Sequence, residues 1–152
     1  MLAIEWESVA RLRADGIEDL LFAHWRETSI DHDEVPLAPD WPRIEQLERS
    51  GVFKAVGLRI DGSLEGYSLF TVAPHLHFRY TLHATNSAVY VRPRSRGVAA
   101  VALLRRSEDL LDALGVRKRI YLAPVLRGKK LGALIERLGY KHTEDFYCKL
   151  TG

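Results

Sequence analysis

The stretch Tyr90-Val91-Arg92-Pro93-Arg94-Ser95-Arg96-Gly97-Val98-Ala99 runs from a strand-like segment through an arginine and glycine loop straight into a long amphipathic run. A helix starting there directs its unpaired backbone N–H groups and the positive end of its dipole at one point. That point suits a phosphate or pyrophosphate. Arg92, Arg94 and Arg96 add guanidinium donors around it. The charge distribution agrees: residues 1–91 carry 8 Lys/Arg against 14 Asp/Glu, a net of −6, whereas residues 92–141 carry 13 against 4, a net of +9. Such asymmetry points to an anionic ligand for the second half, either a polymer or a small polyphosphate, with a merely solvated basic face as the bland alternative. Aromatic residues in 92–141 are limited to Tyr121 and Tyr140, so the stacking platform of a nucleic-acid binder is missing and nucleic acid is the weaker use.

His75 and His77 would share one face of an extended segment, and His83 follows at short range, so a metal site has to be weighed. Neither a cysteine pair nor an H-E-x-x-H spacing supports it, and no metal is expected. The acidic loop containing Asp31, Asp33 and Glu34 reads first as a solvated loop, and second as a lure for a cationic acceptor.

Positioning these residues requires a mixed sheet. Asp15 with Glu18 three residues on has the form of a capping box and predicts a helix over 15–28. A proline-rich acidic loop follows, then Asp40 as N-cap, Pro42 in the first turn, a short helix to Ser50 and Gly51 just past its end. FKAVGLRI and SLEGYSLFTV flank Asp61-Gly62, which predicts an antiparallel hairpin. A long strand over about 81–91 comes next, ended by Pro93. Leu103, Leu104, Leu111 and Leu114 line one face of a helix over 98–114. The apolar strand RIYLA, a helix over 127–138 and a last strand over about 141–150 complete a sheet of about six strands, with parallel neighbours in the second half.

The 152 residues, 47% hydrophobic and 28% charged, fit one globular domain spanning 1–152 and exclude a disordered or low-complexity chain. No apolar run approaches the roughly 18 residues of a membrane span, and the first residues lack the pattern of a signal peptide. The lone cysteine, Cys148, suits a reducing compartment, and the expected location is the cytoplasm.

The element order, the strand ending V-x-P before an Arg-Gly loop and helix, and ERLGY near the end make the chain resemble the GNAT superfamily of N-acetyltransferases. The run PHLHFRYTLHATN is similar to a phage and prophage subset of it. The resemblance implies an α/β fold with a central, mostly antiparallel sheet flanked by helices. It also implies acetyl-CoA as co-substrate, and transfer of the acetyl group to a primary amine by direct attack on the thioester. The alternative on the same fold is a catalytically degenerate module that binds coenzyme A, nucleic acid or protein.

In that superfamily the loop after V-x-P wraps the coenzyme pyrophosphate. The resemblance therefore assigns Arg94, Ser95, Arg96, Gly97, Val98 and Ala99 to the cofactor, with Lys129 or Lys130 near the ribose phosphate. Arg94, Gly97 and Ala99 fit the loop pattern, whereas the register starting at Arg96 places Ala99 and Val101 where glycines are usual. It also implies that the strand carrying Val89 and Val91 splays from RIYLA to admit the pantetheine arm. The family's usual base positions hold Ser87 and Thr85, and His83, two residues further back and expected on the same face, becomes the candidate base. The position of the usual acid holds Ile135, leaving Tyr90 or Tyr121 as candidate substitutes.

Overall fold

The computed structural model describes residues 1–126 and 130–152 fully and the backbone of 128–129. Its elements follow in the order β1 (Leu2–Glu7), α1 (Val9–Ala14), α2 (Ile17–Thr28), α3 (Trp41–Arg49), β2 (Phe53–Ile60), β3 (Ser63–His75) and β4 (Phe78–Val91). After a 3-10 turn at Pro93–Ser95 come α4 (Val98–Ala113), β5 (Lys118–Tyr121) and α5 (Gly128–Arg137).

Asp61 and Gly62 both adopt positive φ, 49° and 85°, and close the β2–β3 hairpin as their types predict. Asp40 caps α3 by accepting from the Arg43 N–H at 3.1 Å. The strands lie in the order β1-β2-β3-β4-β5, antiparallel except for the parallel β4–β5 pair. One sheet face packs Val56, Leu58, Phe70 and Val72 against Leu103 and Leu111 of α4. The other packs Leu64, Tyr67 and Leu69 against Leu12, Ile17 and Leu20 of α1 and α2. This is the mixed, mostly antiparallel sheet between helices that the sequence predicts.

The structure differs from the expected elements at three places. The first residues form an edge strand, because Ile4 and Trp6 alternate onto the α4 face and reach the core. The helix expected over 15–28 is α2, which begins at Ile17: Gly16, in the left-handed region at φ 84°, is its N-cap without a side-chain bond, and Asp15, expected to cap it, instead ends the separate helix α1 and pairs with Arg59. Among the described residues the sheet has five strands rather than about six, since residues 141–150 make no ladder and are exposed along their whole length.

Candidate functional site

The turn between β4 and α4 is held from beneath by one carboxylate. Glu65, buried on β3, accepts from Arg94 Nε at 3.1 Å and from the Ser95 hydroxyl at 2.7 Å, while its backbone carbonyl accepts from the Arg92 N–H at 2.8 Å. The Arg94 hydrogen bond pulls the Glu65 carboxyl below its ordinary range against the opposing effect of burial. Beside it, Gly66 is required by contact: a Cβ there would lie 2.6 Å from the Tyr90 carbonyl oxygen.

Arg96 is anchored too. Its Nε donates to the Val91 carbonyl at 2.8 Å, its terminal nitrogen reaches both Glu27 oxygens at 2.9 and 2.7 Å, and the guanidinium lies over the Tyr90 ring. Arg92 keeps a buried Nε without a partner. Gly97, at φ 92°, is the N-cap of α4 and offers no side-chain cap, so the first N–H groups of a 16-residue helix remain unsatisfied. Val98 is exposed, whereas Ala99 packs on the core and does not stand over the turn. The predicted loop residues are thus together, with two of the three arginines already ion-paired. Lys130 is exposed in the first turn of α5; the Lys129 side chain lies outside the described residues.

β5 accompanies β4 for four residues only, from His83↔Lys118 to Asn86↔Tyr121. β4 then continues through Val89 to Val91 without that neighbour, in line with the expected splay. A bulge marks the point of parting. Leu69 faces Ala88 and Phe70 faces Asn86, leaving Ser87 as the extra residue. Asn86, almost wholly buried, fastens the bulge by donating to Ser68 Oγ at 2.9 Å and to the Leu69 carbonyl at 3.1 Å. Sequence reasoning missed Asn86, whose partners come from β3.

The bulge corrects the expectation for His83. One extra residue reverses the alternation, so Val89 and Val91 share the α4 face with Asn86, whereas His83, Thr85 and Tyr90 lie on the face of α1 and α2. His83 is buried and its Nδ1 donates to the Thr81 carbonyl at 2.8 Å, which leaves Nε2 as the acceptor nitrogen. With His75, His77 and Thr85 it lines a cavity of about 300 Å³. Among the described residues no group of three or more His, Cys, Asp or Glu is arranged to hold a metal ion.

The two candidate tyrosines part in the same way. Tyr90 joins an aromatic cluster in which His24 stacks on it at 5.2 Å and bonds Tyr67 through Nδ1 at 2.8 Å; burial pushes the His24 pKa down and the Tyr90 pKa up. Tyr121 stands at the end of the β4–β5 pairing, edge-on to Phe70 on the α4 face. Its buried hydroxyl, close to Ser68, has no hydrogen-bond partner among the described residues, and burial holds its pKa far above the ordinary tyrosine value, so it stays protonated. Ile135 is buried.

No protein-family model and no curated protein matches the sequence. Solved structures do. Over 100% of both chains, at 21% identity and a TM-score of 0.74, the fold is similar to a ribosomal-protein-alanine N-acetyltransferase from Brucella melitensis biovar Abortus 2308. Over 99% of both chains, at 17% identity and a TM-score of 0.75, it is similar to an aminoglycoside acetyltransferase from an uncultured soil metagenomic sample. A predicted acetyltransferase solved with acetyl-CoA, from Clostridium acetobutylicum, shares 15% identity over 99% of this chain and 96% of its own at a TM-score of 0.68. At such identities the shared property is architecture: this chain has the mixed α/β fold of these acetyltransferase structures.

Proposed function

We propose that this chain transfers an acetyl group from acetyl-CoA to a primary amine. The observation that carries the reading is the uncapped start of α4, held open by Glu65 at the end of a strand that has just lost its parallel neighbour. Unsatisfied N–H groups at a helix start bind a pyrophosphate well. Arg92, with its unpartnered buried Nε, adds charge there, and exchange of Arg94 or Arg96 from its carboxylate onto the ligand would add more. The strand past the bulge, including Val89 and Val91, offers its main chain to an extended pantetheine arm. The likeness to a structure solved with acetyl-CoA favours the same ligand.

Acetyl-CoA supplies an activated carbonyl. The acceptor nitrogen bonds to that carbon as the C–S bond breaks; the amine proton passes to a base, and the thiolate takes up a proton. His83, which lines the cavity beside the bulge and keeps Nε2 as its acceptor nitrogen, is suited to receive the first, directly or through one water. The Tyr121 hydroxyl, protonated and without a partner on the opposite face, is suited to give the second.

Thiol release from acetyl-CoA in the presence of a lysine peptide, a free N-terminal peptide, spermidine and an aminoglycoside tests the reading. Turnover with one acceptor class is expected. His83→Ala then lowers kcat by about 10²- to 10⁴-fold, the usual worth of a positioned base, and Tyr121→Phe lowers kcat with KM for acetyl-CoA unchanged. Coenzyme binding without thiol release for any amine contradicts transfer and leaves a binding module.

A further inference from the structure

On the sheet face that carries α1 and α2 lies a second cavity, of about 240 Å³. Leu12 of α1, Leu21 of α2, Trp41 and Ile44 of α3, Phe53 of β2 and Leu69 of β3 line it, together with residues 37–39 of the loop before α3. Every lining side chain is apolar except for the Trp41 indole N–H. Close-packed interiors seldom leave such a space empty. An engineered apolar cavity of about 150 Å³ takes up benzene, so this one has room for a larger apolar group and offers no partner to a charged one. The cavity adjoins the one lined by His75 and His83 along a single row of the sheet. Phe53 on β2 stands opposite Thr71 on β3, and Thr71 opposite Thr85 on β4. Phe53 belongs to the apolar cavity and the two threonines to the histidine cavity. With strands about 4.8 Å apart, the row from Thr85 to Phe53 covers about 10 Å.

Charge fits an amine with an apolar body. Residues 29–40, which supply one wall of the apolar cavity, hold Asp31, Asp33, Glu34 and the α3 cap Asp40 with no lysine or arginine, while Arg26 and Arg43 flank them from α2 and α3. Acids along that loop attract an ammonium ion. Lys118 lies over the Phe78 ring, which stacks on His83, and a cation there favours the uncharged, nucleophilic form of an amine beside the imidazole. We infer that the acceptor is a primary amine carrying an alkyl tail, with its nitrogen beside His83 and its tail laid across Thr85, Thr71 and Phe53 into the apolar cavity over Leu69. The fate of the nitrogen rests on acetyl transfer as proposed above; occupation of the cavity does not.

Trp41 lies in the cavity wall and Trp6 and Trp25 do not, so tryptophan fluorescence of the protein without acetyl-CoA reads occupancy. Titration with n-alkylamines from ethylamine to dodecylamine should show affinity rising about four-fold per methylene, then levelling once the tail outgrows the cavity. With acetyl-CoA present, KM for the same amines should fall in parallel. Ile44→Phe fills the cavity and should flatten the dependence on length; Leu21→Phe does so from α2 and serves where the first variant fails to unfold cooperatively. Affinity that is flat across the series, or that keeps rising through dodecylamine as in unspecific partition, overturns the inference. Length-dependent binding without thiol release from any amine supports the tail site and contradicts acetyl transfer. Thiol release that is indifferent to tail length supports transfer and overturns the tail site.

Discussion

Two buried glutamates of the sheet each hold an arginine, and they hold it differently. Glu7 on β1 and Arg59 on β2 are both buried, Arg59 only 8% exposed, with paired hydrogen bonds of 2.7 Å and a third from Arg59 to Asp15 at 2.6 Å. Glu65 on β3 is buried as well, but its partner Arg94 is 73% exposed and lies on the turn before α4. In the first pair both charges have left water, so each is the other's main partner, with Asp15 supporting Arg59 and Arg11 lying 3.6 Å from Glu7. In the second only the carboxylate has, and the guanidinium keeps its hydration. The buried pair is therefore a clamp between β1, β2 and the end of α1, whereas the half-exposed pair is a hinge pin whose arginine can turn toward an arriving anion while the Ser95 hydroxyl still donates to the carboxylate.

Removing the buried arginine breaks the contrast most severely. Arg59→Ala leaves Glu7 without its main partner in a dry site, and stability should fall by about 3–5 kcal/mol in urea unfolding. Gly57→Ala tests the same clamp from the other side, since a Cβ there would lie 2.4 Å from Glu7 Oε1. The carboxylate must shift off Arg59, with an expected loss of about 1–3 kcal/mol. Glu65→Gln should cost less at neutral pH, about 1–2 kcal/mol for a charged hydrogen-bonding group, and its signature is the pH dependence. The Glu65 pKa is lowered in the folded protein, so its contribution is present in full above the unfolded value near 4.3 and is lost as pH falls toward the folded value. The gap between wild type and Glu65→Gln should accordingly close in acid unfolding curves below about pH 4.3. A gap that widened there would contradict the assignment. Arg94→Ala has the smallest effect on stability, with a urea midpoint much nearer wild type than that of Arg59→Ala, and shows itself as several-fold weaker acetyl-CoA binding at equilibrium.

What the sequence made legible follows the same division between local and tertiary causes. The Asp61-Gly62 hairpin, the Asp40 cap and the leucine face of α4 are written in adjacent residues, and each forms as expected. So is the turn from Val91 to Val98, because proline, glycine and the helix start act within a few residues. β1 carries only two core side chains and a glutamate buried by an arginine 52 residues away, which no local pattern announces. The bulge at Ser87 is equally silent: Asn86 finds its partners 17 and 18 residues back on β3, and period-two counting along β4 therefore put His83 on the wrong face. Nor does a run of arginines reveal which are already paired; Glu27 and Glu65 reach Arg96 and Arg94 from 69 and 29 residues away. The strand pattern of 141–150 is real in the sequence, but in this structure the segment pairs with no strand, although the outer edge of β5 stays open among the described residues.

The central claim is that the open start of α4 is a coenzyme site, and calorimetric titration of the folded protein with acetyl-CoA tests it most directly. The account predicts saturable heat at one ligand per chain, weakened in Arg96→Ala and reduced by added salt as phosphate contacts are screened. Absence of heat at millimolar acetyl-CoA, in protein whose unfolding remains cooperative, would contradict it.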